Sequence, residues 1–136
     1  MTTYILDSSA VLRYVDREAG GERVREILKA CVAGRAEVCV SAVQWGEVAG
    51  NLRRRFGAAD EVRILGSMFP SEVAIAAASG ERAVRAAELK VDRKLGYADA
   101  FAVELAMSGP ERVLVTADYG FKVAGDLACI EFLPLK

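Results

Sequence analysis

Short apolar runs alternate with longer helical patterns along almost the whole chain, and this alternation constrains the fold more than any other feature. The short runs are rich in branched side chains and predict strands, whereas the longer segments carry apolar residues at helical intervals. Strand and helix in this order favour a parallel sheet covered by helices on both faces. Such sheets bind ligands at the carboxyl ends of their strands, so functional residues are expected there.

The same patterns give bounds for each element. Strands are predicted at residues 4–6, 37–40, 72–75, 113–115 and 129–132. Helices are predicted at residues 9–15, 22–33, 60–68, 81–94 and 98–108, with a short helix near 119–124. A longer helix follows Ser41 and ends near Phe56, and Ser41 with Gln44 has the spacing of a capping box. We therefore predict a three-layer α/β/α fold with a central parallel sheet of about five strands.

The bulk properties of the chain limit its class. Its 136 residues suit one domain spanning 1–136, and a hydrophobic content of 53% is enough to bury a substantial core. No apolar stretch reaches the roughly 18 residues that indicate a membrane helix. The N-terminus lacks a basic start and meets Asp7 too early for a signal peptide. These features favour a cytoplasmic protein.

The absence of histidine narrows the available chemistry, because it excludes catalytic triads that use histidine as a base. The three cysteines form no CxxC pair, so a zinc site is not expected and buried thiols are the simpler interpretation. The net charge of −1 argues against a general polycation for nucleic acid. Acid–base or metal chemistry must therefore rest on carboxylates.

Two carboxylates lie near the ends of the first two predicted strands. Asp7 ends the first strand, where it could serve as a helix N-cap or as a metal ligand assisted by Ser9. Glu47 lies in the second turn of the helix after the second strand, on the side opposite the apolar stripe. That position suits a solvated glutamate, but the small residues around it leave room for a cleft. Both interpretations stay open for each acid.

Two aspartates follow later in the chain. Asp99 lies in the first turn of its helix, where the helix dipole favours a carboxylate whatever its function. Asp118 follows the fourth strand and could cap the short helix after it. Each acid therefore has an ordinary structural explanation when it is taken singly. Taken together, three of the four acids fall where strands of one parallel sheet end, and Asp99 begins the helix that leads into the fourth strand.

A site of carboxylates without histidine has a characteristic chemistry. Packed carboxylates repel one another, and a cation that neutralises them relieves this repulsion. Hard cations such as Mg²⁺ and Mn²⁺ prefer oxygen ligands of this kind. A metal ion can then bind a phosphate oxygen, lower the pKa of a water molecule and stabilise a leaving oxygen. The pattern therefore indicates phosphodiester hydrolysis, with the four acids as metal ligands and catalytic residues.

Four sequence blocks resemble, in order and spacing, the motifs of PIN domains, and of VapC toxins in particular. They are YILDSSAVL, SAVQWGEVAG, LGYADAFAVELA and VLVTADYGF. The resemblance implies that Asp7, Glu47 and Asp99 match the invariant acidic triad of that family. It also implies that Asp118 matches a more variable fourth acid, and that the hydroxyls of Ser9 and Thr116 help to organise the site.

The resemblance also implies a function. It implies Mg²⁺- or Mn²⁺-dependent cleavage of RNA by a homodimer, and inhibition by a small antitoxin whose C-terminal segment occupies the active groove. Several basic residues could neutralise RNA phosphates in that groove, although each also suits an ordinary solvated surface. They are Arg13, Arg93, Lys94 and Lys122.

Two other functions fit parts of the sequence. A phosphatase of the haloacid dehalogenase type also places an aspartate at the end of its first strand, but it needs a second aspartate where Ser9 stands. A catalytically silent PIN-fold module would bind RNA or protein without cleaving it. Such a module would not need all four acids, and their presence favours the nuclease.

Overall fold

Five parallel strands form the centre of the computed structural model, which describes all residues from 1 to 136. The strands are β1 (Thr3–Leu6), β2 (Glu37–Ser41), β3 (Ala74–Ala76), β4 (Arg112–Thr116) and β5 (Cys129–Phe132). Their order in the sheet is β3-β2-β1-β4-β5, and every neighbouring pair is parallel. From β1 the chain adds β2 and β3 on one side of the sheet and then crosses to add β4 and β5 on the other side. In sheets of this kind, ligands bind at the carboxyl ends of the two strands where the order reverses, which here are β1 and β4.

Six α-helices and one short 3₁₀ helix connect the strands. The α-helices are α1 (Ser8–Val15), α2 (Gly21–Val32), α3 (Ala42–Phe56), α4 (Ala58–Ser67), α5 (Gly80–Arg93) and α6 (Tyr97–Met107), and the 3₁₀ helix spans Tyr119–Ala124. Gly57 separates α3 from α4 with a φ of +90°, which a residue with a side chain rarely adopts. Every helix is too short or too polar to cross a lipid bilayer.

Two hydrophobic cores lie on opposite faces of the sheet, because successive strand residues point to opposite sides. Leu6 and Val115 face the core formed with α1, α2, α3 and α4. Ile5 and Leu114 face the second core, which is formed with α5 and α6. The predicted three-layer α/β/α arrangement with a five-stranded parallel sheet is therefore confirmed.

The predicted bounds differ from the observed ones mainly at β3. This strand begins at Ala74 rather than at residue 72, because the chain first makes a turn in which the Val73 N–H donates to the Pro70 carbonyl at 3.1 Å. The strand that remains has three residues and lies at an edge of the sheet.

The predicted capping box at the start of α3 is wrong. Ser41 does cap the helix, but its hydroxyl accepts from the Val43 N–H at 3.3 Å rather than from Gln44. The Gln44 side chain is fully buried and turns away from Ser41, because partners on two other helices satisfy its amide.

An ion cluster around one buried carboxylate joins the two helices of the second core. Glu104 is buried within the otherwise apolar α6, and its carboxylate accepts from the guanidinium groups of Arg82 and Arg85 on α5. The closest contact, from Arg82, measures 2.8 Å. This cluster satisfies a charge that would be costly to bury alone and fixes α5 against α6.

Candidate active site

Asp7 lies at the end of β1 and is the centre of a buried hydrogen-bond network. The residue is only 1% exposed. One carboxylate oxygen accepts from the Ala10 N–H at 2.9 Å, so Asp7 is the N-cap of α1. The Ser9 hydroxyl lies 2.8 and 2.9 Å from the two carboxylate oxygens, and the Thr116 hydroxyl donates to the second at 2.6 Å. Asp7 therefore caps α1 and, with the same carboxylate, accepts hydrogen bonds from neighbouring hydroxyls.

The two hydroxyls fix the Asp7 carboxylate to the end of β4. The Ala117 N–H donates to the Ser9 oxygen at 2.9 Å, and the Asp118 N–H donates to the Thr116 oxygen at the same distance. Each hydroxyl thus accepts from a backbone N–H of the segment after β4 while it lies within hydrogen-bond distance of the Asp7 carboxylate, and the two hydroxyl oxygens lie 3.2 Å from each other. Both hydroxyls therefore contact the Asp7 carboxylate, and their role in organising a metal site stays a prediction.

Burial gives Asp7 an unusual proton affinity. Removal from water raises its pKa from 3.8 to about 6, although hydrogen bonds from Thr116, Ala10 and Ser9 oppose the change. The negative charge of Asp99 raises it further. Asp7 is therefore a carboxylate whose charge lacks compensation by a nearby cation.

Asp99 lies in the first turn of α6 and is electrostatically coupled to each of the other three acids. Partial burial raises its pKa, the Gln44 amide opposes that change, and the charge of Asp118 adds to it. Burial also raises the pKa of Glu47 on α3, and the charge of Asp99 adds to that effect. The four acids are therefore close enough for the charge of Asp99 to interact with each of the other three.

Asp118 has a structural role as well. Its carboxylate accepts from the Gly120 N–H at 2.8 Å and caps the 3₁₀ helix, as the sequence suggested. The residue is exposed, in contrast to Asp7. Asp118 and Glu47 are therefore the exposed acids, Asp7 is the buried one, and Asp99 is intermediate in exposure.

The oxygen atoms of the four acids are the ligands that a hard divalent cation prefers. Their side chains do not, however, form a complete coordination sphere in this structure. No three carboxylates of the structure lie close enough together to share one metal ion. All four acids nevertheless offer oxygen donors, and none of them forms an ion pair with a lysine or arginine. A divalent cation would supply the missing positive charge, and the exposed Glu47 and Asp118 side chains can rotate towards it.

The basic side chains predicted to bind RNA differ in how far contacts within the protein already occupy their charge. Arg13 lines a groove beside Ser9 and donates to the Ala19 carbonyl at 3.3 Å. Lys94 is exposed at the C-terminal cap of α5, and the Lys122 ammonium lies 5.3 Å from the centre of the Tyr119 ring.

Arg93 departs from this expectation, because its guanidinium is already held by a neighbouring carboxylate. Arg93 forms a bidentate ion pair with Asp126 and also donates to the Val123 carbonyl at 3.1 Å. These contacts fasten the end of α5 to the segment after β4 and leave less of the charge for RNA.

Gln44 is the site residue that the sequence reasoning missed. Its Oε1 accepts from the Ser8 N–H at 2.6 Å, and its Nε2 donates to the Ala98 carbonyl at 2.7 Å. The available signal was its position four residues before Val48 in the buried stripe of α3, where a polar side chain needs buried partners. The capping-box interpretation assigned those partners to Ser41 instead.

Solved structures with a similar fold come from bacterial VapBC systems. VapBC2 of Rickettsia felis, solved with a DNA fragment from the promoter, is 17% identical with a TM-score of 0.76, covering 98% of this chain and 100% of the other. VapBC of Salmonella typhimurium, solved with DNA, is 14% identical with a TM-score of 0.74, covering 97% and 98%. VapC20 of Mycobacterium tuberculosis, a sarcin-ricin loop cleaving toxin, is 20% identical with a TM-score of 0.68, covering 96% and 99%.

The family comparison agrees with this likeness in fold. No curated protein sequence matches the chain. The family model for the PIN domain matches residues 4–127, which include all four acids and both hydroxyls of the site. The chain therefore belongs to the PIN domain family.

Proposed function

We propose that the chain is a divalent-metal-dependent endoribonuclease, and the toxin of a toxin–antitoxin pair. The observation that carries this proposal is the set of carboxylates coupled through Asp99, among which the buried Asp7 has a pKa of about 6 without any compensating cation. Carboxylates whose pKa values are strongly raised by burial are concentrated at functional sites. The similar fold of VapC20, a sarcin-ricin loop cleaving toxin, supports RNA as the substrate class.

The buried and the exposed acids would have different roles in binding the metal ion. Asp7 and Asp99 would hold Mg²⁺ or Mn²⁺ near the carboxyl ends of β1 and β4, and the exposed Glu47 and Asp118 would complete the site. When bound, the ion supplies charge stabilisation to the scissile phosphate and lowers the pKa of the attacking water. The Ser9 hydroxyl contacts both Asp7 oxygens and would hold the carboxylate in one orientation for the metal ion.

The basic side chains would position the RNA backbone. Arg13 lines a groove together with Ser9, whereas Lys122 lies four residues after Asp118 in the 3₁₀ helix. Both can neutralise phosphates of a strand that crosses the carboxyl ends of β1 and β4. Lys94 extends the positive surface beyond α5, and the paired Arg93 would contribute less.

The proposal includes two protein partners, a small antitoxin and a second copy of the chain. The similar structures from Rickettsia felis, Salmonella typhimurium and nontypeable Haemophilus influenzae are VapBC assemblies, which supports an antitoxin. The surface also carries strongly exposed apolar side chains, among them Val62, Val84 and Val91. Contact with a partner would remove such side chains from water.

A cleavage assay tests the proposed activity. The purified chain, freed of any antitoxin, would be incubated with a labelled sarcin-ricin loop RNA and with single-stranded RNAs in Mg²⁺, Mn²⁺ or EDTA. We expect cutting that requires metal and that falls by at least roughly 100-fold in Asp7→Asn. Asp92→Asn is the matched control, because Asp92 is exposed and lies outside every ion pair and hydrogen bond of the site.

Two results of this assay would count against the proposed activity. RNA binding in EDTA without cleavage in either metal would favour a binding module that has kept the fold but not the activity. Equal cleavage by Asp7→Asn and the native chain would contradict the assignment of the site.

A further inference from the structure

Gln44 connects three helices through one buried side-chain amide. The residue lies in the first turn of α3 and is inaccessible to solvent. Its carbonyl oxygen accepts from the Ser8 N–H of α1 at 2.6 Å, and its amino group donates to the Ala98 carbonyl of α6 at 2.7 Å. Both ends of the amide are therefore satisfied by backbone groups of other helices, which only a side chain with a donor and an acceptor can do.

The two backbone partners are the immediate neighbours of the two deepest acids. Ser8 follows Asp7 along the chain, and Ala98 precedes Asp99. The same amino group lies 3.4 Å from a carboxylate oxygen of Asp99 and is the only protein hydrogen-bond donor to that carboxylate. Glu47 lies one turn further along α3. A single amide thus sets the spacing between the segments that carry three of the four acids.

We propose that Gln44 is a positioning residue for the metal site, and this inference rests on the nuclease function proposed above. It fixes the distance between the backbones of Asp7 and Asp99, and it orients the Asp99 carboxylate as the hydroxyls of Ser9 and Thr116 orient Asp7. Groups that orient metal ligands in this way change metal affinity or activity by about 10- to 100-fold when they are removed.

The test replaces Gln44 by methionine, which keeps the length of the side chain and removes its hydrogen bonds. Glu104→Gln is the control, because it disturbs another buried polar contact of α6 without touching the acids. The three proteins would be compared in urea unfolding, in calorimetric titration with Mn²⁺, and in cleavage of the RNA that the native chain cuts fastest. We expect Gln44→Met to weaken Mn²⁺ binding and lower kcat by about 10- to 100-fold, with KM for RNA changed by less than about threefold.

The outcomes separate this inference from the proposed function. If Gln44→Met and Glu104→Gln lose similar stability and both keep native Mn²⁺ affinity and kcat, Gln44 has a structural role alone and the inference is wrong. If the native chain neither binds Mn²⁺ nor cuts RNA, the proposed function fails and the inference fails with it.

A second measurement applies even if Gln44→Met does not fold. In nitrogen-15 NMR spectra of the native chain, the side-chain amide signals of Gln44 should shift on titration with Mg²⁺, along the same binding curve as the backbone signal of Asp99. Saturating Mg²⁺ that shifts the Asp99 signal and leaves the Gln44 amide unchanged would overturn the inference.

Discussion

Replacing Asp7 by asparagine should stabilise the metal-free protein while it abolishes cleavage. The Asp7 carboxylate is almost inaccessible to solvent, and burial raises its pKa from 3.8 to about 6. A raised pKa means that the folded state holds the proton more tightly than the unfolded state does. The ionised carboxylate therefore opposes folding, and this opposition grows as the pH rises from 3.8 through about 6.

The size of the effect follows from the two pKa values. The difference between 3.8 and about 6 corresponds to about 3 kcal/mol of unfolding free energy at pH 7, and to almost none near pH 4. Asparagine carries no charge at either pH, and its carbonyl oxygen can still accept from the Ala10 N–H. Asp99 and Glu47, whose pKa values are also raised, remain in both proteins and largely cancel in the comparison.

Urea unfolding in EDTA between about pH 4.5 and 7.5 measures this effect. The advantage of Asp7→Asn over the native chain should increase across that range, and added Mn²⁺ should stabilise the native chain more than the variant. A difference between the two proteins that does not change with pH would refute the reasoning, because it would show that the Asp7 carboxylate is not destabilised by burial.

Thr116→Val removes a hydroxyl that donates to Asp7, and we expect it to cost about 1–3 kcal/mol in urea unfolding and to lower cleavage by about 10- to 100-fold. Native cleavage in that variant would show that the hydroxyl does not orient the carboxylate. Lys122→Ala should weaken RNA binding and reduce the slope of log affinity against log salt by about one, measured by fluorescence anisotropy in EDTA. Arg93→Ala should change that slope less, because Arg93 is already paired; equal effects would contradict the assignment.

The fold and the position of the acids could be predicted because both depend on local sequence. Apolar runs of strand length alternate with helical periods, and this order leaves few arrangements other than a parallel sheet. Asp7 and Asp118 follow directly after strands, and the carboxyl ends of parallel strands meet at one edge of the sheet. Their capping roles could be predicted for the same reason, since the capped N–H groups lie within three residues.

The contacts between distant segments could not be predicted from local patterns. Gln44 satisfies its amide with residues 36 and 54 positions away along the chain, whereas the capping-box spacing suggested a partner only three residues away. The pairing of Arg93 with Asp126 likewise depends on how α5 packs against the segment after β4. Such partners become visible only when the packing of the helices is known.

Anomalous diffraction from crystals grown with Mn²⁺ would test the central claim that these carboxylates hold a divalent metal. The account predicts a manganese peak near the carboxyl ends of β1 and β4, within coordination distance of the carboxylates of Asp7 and Asp99. It also predicts that Glu47 or Asp118 turns towards the ion. An anomalous map with no peak at these acids, from protein that cleaves RNA in the same Mn²⁺ solution, would contradict it.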